Sequence, residues 1–412
     1  MTVSEKGSRD LTIEDVIEHE MVTALFQPIV GLPGGEVFAF EALSRGPRGT
    51  DLESPAALFA AADSVGLTRQ LDELCMRTAF VSASDAGVRT LFVNAEPRTF
   101  SGPVVLPSSD MQVVVEVTER GLVNRPAELL DALERAREAG WGVALDDIGA
   151  DWRSLAMLPV ISPEIIKLDR AVLANGPTRE SGRVLRASRA HVDRRHGKLL
   201  AEGIEDAHHA EQAVAFGAVL GQGYHLGRPA PAPTEPATAQ LTLPPATVAV
   251  ERSVTPFGLL QREGIATAVT TKRELLPVSQ DIEMDAAEQP DPNILLGTFQ
   301  SAERFTQETR ERYARLAKGL AFVAAFGYGM APSPAPGVVG AALVDREPLG
   351  EEWVVVSIGP HQTSALIARD LGDGGPDLDR RFEYALLSDR GIIERSARSL
   401  MLRITASEPP GR

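Results

Sequence analysis

The chain of 412 residues has one cysteine, Cys75, so no disulfide can form within it. A reducing compartment, the cytoplasm, is the expectation. Positive charge is in short supply: 41 Lys+Arg face 57 Asp+Glu, a formal net charge of -16. Non-specific nucleic-acid binding rests on Lys and Arg neutralising phosphates, so no nucleic-acid partner is expected. Long apolar runs are missing too. The longest uncharged stretch, Gly319–Val344, is broken by Pro332, Pro334 and Pro336. A spanning helix needs about 20 mainly apolar residues with its backbone bonds made internally. The stretch therefore reads as two buried segments around a loop, and no membrane partner is expected. The opening MTVSEKGSRDLTIEDVIEHE has early acids and no apolar centre, unlike a signal peptide. Neither GxxxxGKS nor GxGxxG occurs, which removes the common glycine-rich phosphate cradles.

What is present divides the chain. Arg228–Ala249 holds six prolines, a density that gives a stiff, extended spacer. The expected organisation is a first unit over 1–232, a Pro-rich linker over 233–254 and a second unit over 255–408. In the first unit, β-rich runs occur at Ala24–Val30, Val37–Leu43, Thr90–Asn94, Gln112–Val117, Gly142–Asp147, Ile165–Leu168, Lys198–Ala201 and Val219–Tyr224. Helical patterns lie between several of them, at Leu67–Ser84, Pro126–Ala139, Glu180–Arg195 and Ala207–Phe216. Eight strands alternating with helices point to an α/β fold, a (β/α)8 barrel. The first two runs are joined only by LPGGE. That is too short for a parallel crossover, so this pair is expected to be antiparallel.

The strand ends carry the chemistry. Successive runs end in Glu41 (EALSR), Asn94 (VNAEP), Glu116 and Glu119 (EVTER), Asp146 and Asp147 (LDDIG), and Lys167 and Asp169 (IKLD). Glu202 and Glu205 (AEGIE) and Gln222 (GQGY) follow. In a barrel these ends converge on one face, where active sites sit. Packed carboxylates repel unless cations neutralise them. Oxygen donors without Cys or His suit Mg2+ or Mn2+, and two such ions are a common device for phosphoester hydrolysis.

These motifs, with FQPIV, ALDDIG and QGYHLGRP, occur in the order of the EAL phosphodiesterase family, which the first unit resembles from about Phe26 to Pro229. The resemblance implies a modified TIM-like barrel with an antiparallel first strand. It implies hydrolysis of cyclic di-GMP to linear pGpG with two Mg2+ or Mn2+ ions, in bacterial second-messenger signalling. Glu41, Asn94, Glu116 and Asp146 would hold one ion and Asp147 the second. Lys167 would orient the attacking water, and Glu202 would act as general base. Glu205 and Gln222 would support the site, while Gln27 and Arg45 would contact the ligand. Glu119 would anchor the loop after the paired aspartates, and the family contact near that loop implies a homodimer. That loop, Ile148–Arg153, departs from the family pattern: Asp151 stands where glycine is usual. The departure gives a second reading, a cyclic-di-GMP receptor without useful turnover.

The second unit is smaller, also α/β, and has no comparable cluster. A long helix fits Asn293–Lys318, strands fit Gly337–Val344 and Glu352–Ile358, and a terminal helix fits Asp389–Ile404. FVAAFGYGM and the stretches around Trp353, Pro360 and Phe382 resemble the DICT sensory domain. This implies regulation of the first unit by an unknown ligand or partner protein. His361 and Arg369 are candidate pocket residues.

Overall fold

The computed structural model describes residues 11–96, 99, 107, 111–118, 125–174, 176–233, 237–245 and 252–405. Glu119 lies outside them.

The first unit opens with α1 (Ile13–Glu18) and the hairpin β1 (Thr23–Gly31) and β2 (Val37–Arg45). There follow α2 (Pro55–Ser64), α3 (Thr68–Asp85), β3 (Thr90–Asn94), β4 (Gln112–Val117), α4 (Pro126–Glu138) and β5 (Gly142–Ile148). After a 3-10 turn, Trp152–Met157, come α5 (Leu158–Ile161), β6 (Ile165–Leu168), α6 (Arg170–Ala174), α7 (Arg179–Arg195), β7 (Lys198–Ala201), α8 (Ala207–Ala215) and β8 (Leu220–Gly221). The eight strands close into a barrel in sequence order. β1 is antiparallel to both its neighbours, and the other pairs are parallel. The short hairpin connection predicts that irregularity.

Side chains alternate between the two faces of a strand, and here the alternation sorts the interior into layers. Ile29, Ala39, Phe92, Val114, Ala144, Ile165, Leu200 and Leu220, one from each strand, form an apolar layer. Two residues further toward the barrel mouth stand Gln27, Glu41, Asn94, Glu116, Asp146, Lys167, Glu202 and Gln222. Every strand thus supplies one apolar plug and one polar group above it.

The Pro-rich segment is not a free spacer throughout. Thr238 and Ala239 donate backbone hydrogen bonds to Val37 O, and Leu241, 1% exposed, joins the apolar layer with Leu243 beside it. The apolar pair in LTL outweighs the extended tendency of its prolines and closes the barrel floor.

The second unit contains α9 (Pro256–Arg262), β9 (Ala268–Thr271), α10 (Lys272–Glu288), β10 (Ile294–Ser301), α11 (Gln307–Leu316), β11 (Phe322–Tyr328) and β12 (Val339–Ala342). β13 (Glu352–Ile358), β14 (Thr363–Asp370), β15 (Arg381–Leu387) and α12 (Arg390–Met401) complete it. Its mixed sheet has the order β12-β11-β10-β13-β14-β15-β9. The expected helix over Asn293–Lys318 is corrected: Ile294–Ser301 is a central strand, and the helix starts only at Gln307, after the N-cap Thr306. A continuous apolar run such as ILL fits a buried strand as well as a helix. α10 and α11 pack around Tyr313 on one face of the sheet, while α9 and α12 pack on the other. α12 also reaches α4 and α5 of the barrel.

Candidate active site

The polar layer is wired through Lys167, which is 1% exposed. Its Nζ lies 2.6 Å from Glu116 Oε1, 2.8 Å from Glu202 Oε1, 3.2 Å from Asp146 Oδ1 and 3.8 Å from Glu41 Oε2. Asn94 Nδ2 donates to Glu41 Oε1 (3.1 Å) and Glu116 Oε2 (3.0 Å). Gln222 Nε2 donates to Glu41 Oε2 at 2.5 Å and to Gln27 Oε1 at 3.3 Å, and Gln27 Nε2 donates to Gly227 O at 3.2 Å. Eight side chains from eight strands thus form one connected set.

Adjacent strand residues normally face opposite ways, yet both Asp146 and Asp147 belong here. The register of β5 against β6 shifts between Leu145 and Ile148, where β5 has one residue more. Such a bulge re-aims a side chain. Asp147 takes φ 58°, and its N–H donates to Asp146 Oδ1 at 3.0 Å. Carboxylate oxygens of Asp146, Asp147 and Glu202 lie within 4.8 Å of one another. The next turn is made by Gly149 at φ 110°, where an added Cβ would meet Val172 Cγ2 at 2.4 Å. Asp151 is extended, φ -127°, and its side chain accepts the Arg153 N–H at 2.9 Å. The missing glycine therefore imposes no backbone strain.

The electrostatics are those of a mouth built for more positive charge than one lysine. Burial disfavours the Lys167 ammonium, but Glu116, Glu202, Glu41 and Asp146 outweigh it and hold its pKa well above the usual value. Burial also opposes the Glu41 charge, yet Lys167 and the donors Gln222 and Asn94 keep its carboxyl low. Burial and the Glu41 charge push Glu116 well up. Burial raises Glu202 to about 7 despite Lys167. Three all-oxygen donors at this spacing, beside carboxylates short of counter-charge, fit a hard divalent cation.

The remaining expectations divide. Gln27 sits in the polar layer, as does Gln222. Arg45 is half-buried at the end of β2 and its Nη1 donates to Ser44 O. Glu205 is exposed on the loop after β7, where its N–H meets His209 Nδ1 at 3.4 Å, outside the Lys167 set. In the second unit, Arg369 pairs with Glu383 and lies over the Phe257 ring, while His361 is 3.8 Å from Asp291. They stand at opposite ends of the β13–β14 hairpin and share no pocket.

A cleft of about 950 Å³ opens from the mouth between α2, α3 and the strand ends; Phe59, Met76, Asn94, Glu116 and Asp147 are among its walls. Pockets of this size take cofactor-sized ligands. The sequence reading missed Asp72 here, because LDELCMRTAF reads as an apolar helix. Asp72 is buried, accepts hydrogen bonds from Glu96 N–H and the Thr99 hydroxyl, and so holds the segment beyond Asn94. Burial raises its carboxyl to about 7 against those bonds.

Comparison with known proteins agrees with this architecture. Over 242 residues the chain is 28% identical to the probable cyclic di-GMP phosphodiesterase PdeB of Escherichia coli, covering 53% of this chain and 45% of that protein. Over 127 residues it is 35% identical to the cyclic di-GMP phosphodiesterase RocR of Pseudomonas aeruginosa, covering 31% and 32% respectively. The chain spans less than half the length of these relatives. Among solved structures it is similar to the Klebsiella pneumoniae BlrP1 calcium/cy-diGMP complex, at 26% identity and TM-score 0.46, covering 51% of this chain and 56% of that one. Residues 258–371 match the DICT family, described as a sensory domain in diguanylate cyclases and two-component systems. Residues 11–229, more than half of the chain, match the EAL domain, and the protein belongs to the EAL-domain family.

Proposed function

We propose that the chain hydrolyses cyclic di-GMP to linear pGpG with two Mg2+ or Mn2+ ions, under the control of its second domain. The observation that carries this reading is the connected ring of Glu41, Asn94, Glu116, Asp146, Lys167 and Glu202, with Asp147 turned into it by the β5 bulge. The names of the relatives supply the substrate.

Glu41, Asn94, Glu116 and Asp146 would hold one ion and Asp147 the other, with Glu202 close enough to share it. Bound ions would supply an activated water and neutralise charge on the phosphoryl group. The chain's own residues do the rest. Glu202 accepts the proton of the attacking water at a carboxylate oxygen. Lys167 orients that water and offsets negative charge that grows during attack. Gln222 and Asn94 fix the Glu41 carboxylate by hydrogen bonds to its two oxygens. Gln27 and Arg45 border the ligand, and Glu205 supports the loop after β7. Control by the second domain is supported by α12, which packs on α5, eleven residues beyond Asp147 at its start.

The test is incubation of purified protein with cyclic di-GMP and Mg2+ or Mn2+, following pGpG by chromatography. We expect turnover that chelation abolishes. Binding of cyclic di-GMP without pGpG under any divalent cation would overturn the reading.

A further inference from the structure

The seam between the two domains is rich in arginine. Nearly every residue of α12 from Ile392 to Met401 is buried. Its Arg390 and Arg398 lie within Coulombic reach of Arg137 on α4 and of Arg194 and Arg195 on α7. Few carboxylates answer them. Glu394 bridges Arg195 and, at 3.7 Å, Arg390. Glu164 is 3.5 Å from Arg137, but its other oxygen takes the Val143 N–H at 2.8 Å.

Backbone carbonyls take much of the remaining donor capacity. Arg194 donates to Pro360 O, Arg390 Nη1 to Gly359 O, and Arg137 Nη2 to Ile161 O and Ser162 O. Arg398 is 7% exposed and donates through Nε to Val160 O at 2.7 Å. Among the described residues it forms no ion pair. Its Nη2 is buried without an acceptor, and so is Nη2 of Arg390. Burial, then the neighbouring Arg137, drag the Arg398 pKa down to about 9.

A buried guanidinium without a counter-charge is costly, and buried donors are normally satisfied. A trapped water could accept one N–H but would leave the excess of positive charge. The shortage is of acceptors and of negative charge together. We infer that the seam binds a small inorganic anion, chloride or phosphate, between Arg398 and Arg390. The guanidinium fork presents several N–H groups in a plane, which suits an anion taking bonds from two arginines. This site is separate from the barrel mouth and independent of the chemistry there.

The test is thermal unfolding of the full-length protein in EDTA, at fixed ionic strength, with gluconate replaced stepwise by chloride or by phosphate. We expect a saturable rise in Tm of a few degrees with at least one of the two, which identifies the ion. Arg398→Met should lose the saturable part, and exposed Arg186→Met should keep it. Arg390→Met gives the same readout if Arg398→Met does not fold. No saturable dependence in the wild type, or one that persists in both seam variants, would overturn the site.

Discussion

Lys167 is one cation among four carboxylates, and its neighbours decide what each substitution does. Replacing it by Met leaves Glu41, Glu116, Asp146 and Glu202 without their buried partner. Removing one member of a buried pair typically costs about 3–5 kcal/mol. Lys167→Met should therefore lower Tm in EDTA, and added Mg2+ should narrow the gap to wild type. Equal melting in EDTA would mean that the acids do not depend on the lysine. Glu202→Gln keeps the side-chain shape but cannot accept a proton. A placed base contributes about 100- to 10,000-fold, so turnover should fall by that order while cyclic di-GMP binding persists. Lost binding with an unchanged rate on bound substrate would contradict the role. Asp72 offers a pH test remote from the reaction. Its proton leaves at the model value of 3.8 in the unfolded chain and at about 7 in the folded one. Between those values the folded state holds more proton, so stability falls as pH rises. Asp72→Asn keeps an acceptor for Glu96 N–H and Thr99. Its Tm advantage over wild type should grow from about pH 4 to about pH 7 and then level off. A pH-independent difference would show that Asp72 is charged in the fold.

At the scale of elements, the barrel was legible because its pattern is local. Each strand reads as a short apolar run ending in a polar residue two positions after an inward-facing apolar one, as in Phe92–Asn94 or Ile165–Lys167. Those pairs follow from the period of a strand alone. The second sheet was less legible. Ile294–Ser301 lies between β11 and β13, and an apolar run buried on both faces carries no period. Contacts distant in sequence were invisible in kind. Asp72 is explained only by the Glu96–Thr99 segment, and Arg194 and Arg195, which read as a solvated helix face, meet α12 and the β13–β14 turn. The strap is the clearest instance, since six prolines announced a spacer while Leu241 plugs the floor. Large-to-small substitution of a buried leucine costs about 2–5 kcal/mol. Leu241→Ala should lower the denaturation midpoint of the barrel by that order, and an unchanged midpoint would show that the strap contributes nothing to the floor.

At the scale of the whole molecule, the two domains meet where the barrel leaves its metal-binding loop. From Asp147 the chain passes through Gly149, the 3-10 turn and α5, and Arg398 of α12 holds Val160 O at 2.7 Å. Arg252 and Asp131 add a second tie between the strap's end and α4. A shift of α12 would thus act on a short, glycine-hinged segment that ends at the paired aspartates. Asp151, once the suspect for a weakened loop, is an unstrained cap, so Asp151→Gly should remove a hydrogen bond rather than restore activity. The informative cut is elsewhere. A chain ending at 232 loses the Leu241 plug as well as the second domain, whereas one ending at 245 keeps the plug and loses only α12 and its sheet. The longer fragment should melt higher than the shorter one. Its specific activity should differ from that of the full-length chain by roughly 5- to 150-fold, the span of a coupling energy of about 1–3 kcal/mol. The comparison is made at equal metal and substrate, with binding measured separately so that a loss of fold is not read as a loss of control. If the 245-residue fragment binds and turns over cyclic di-GMP as the full-length chain does, α12 holds the two domains together without setting the loop.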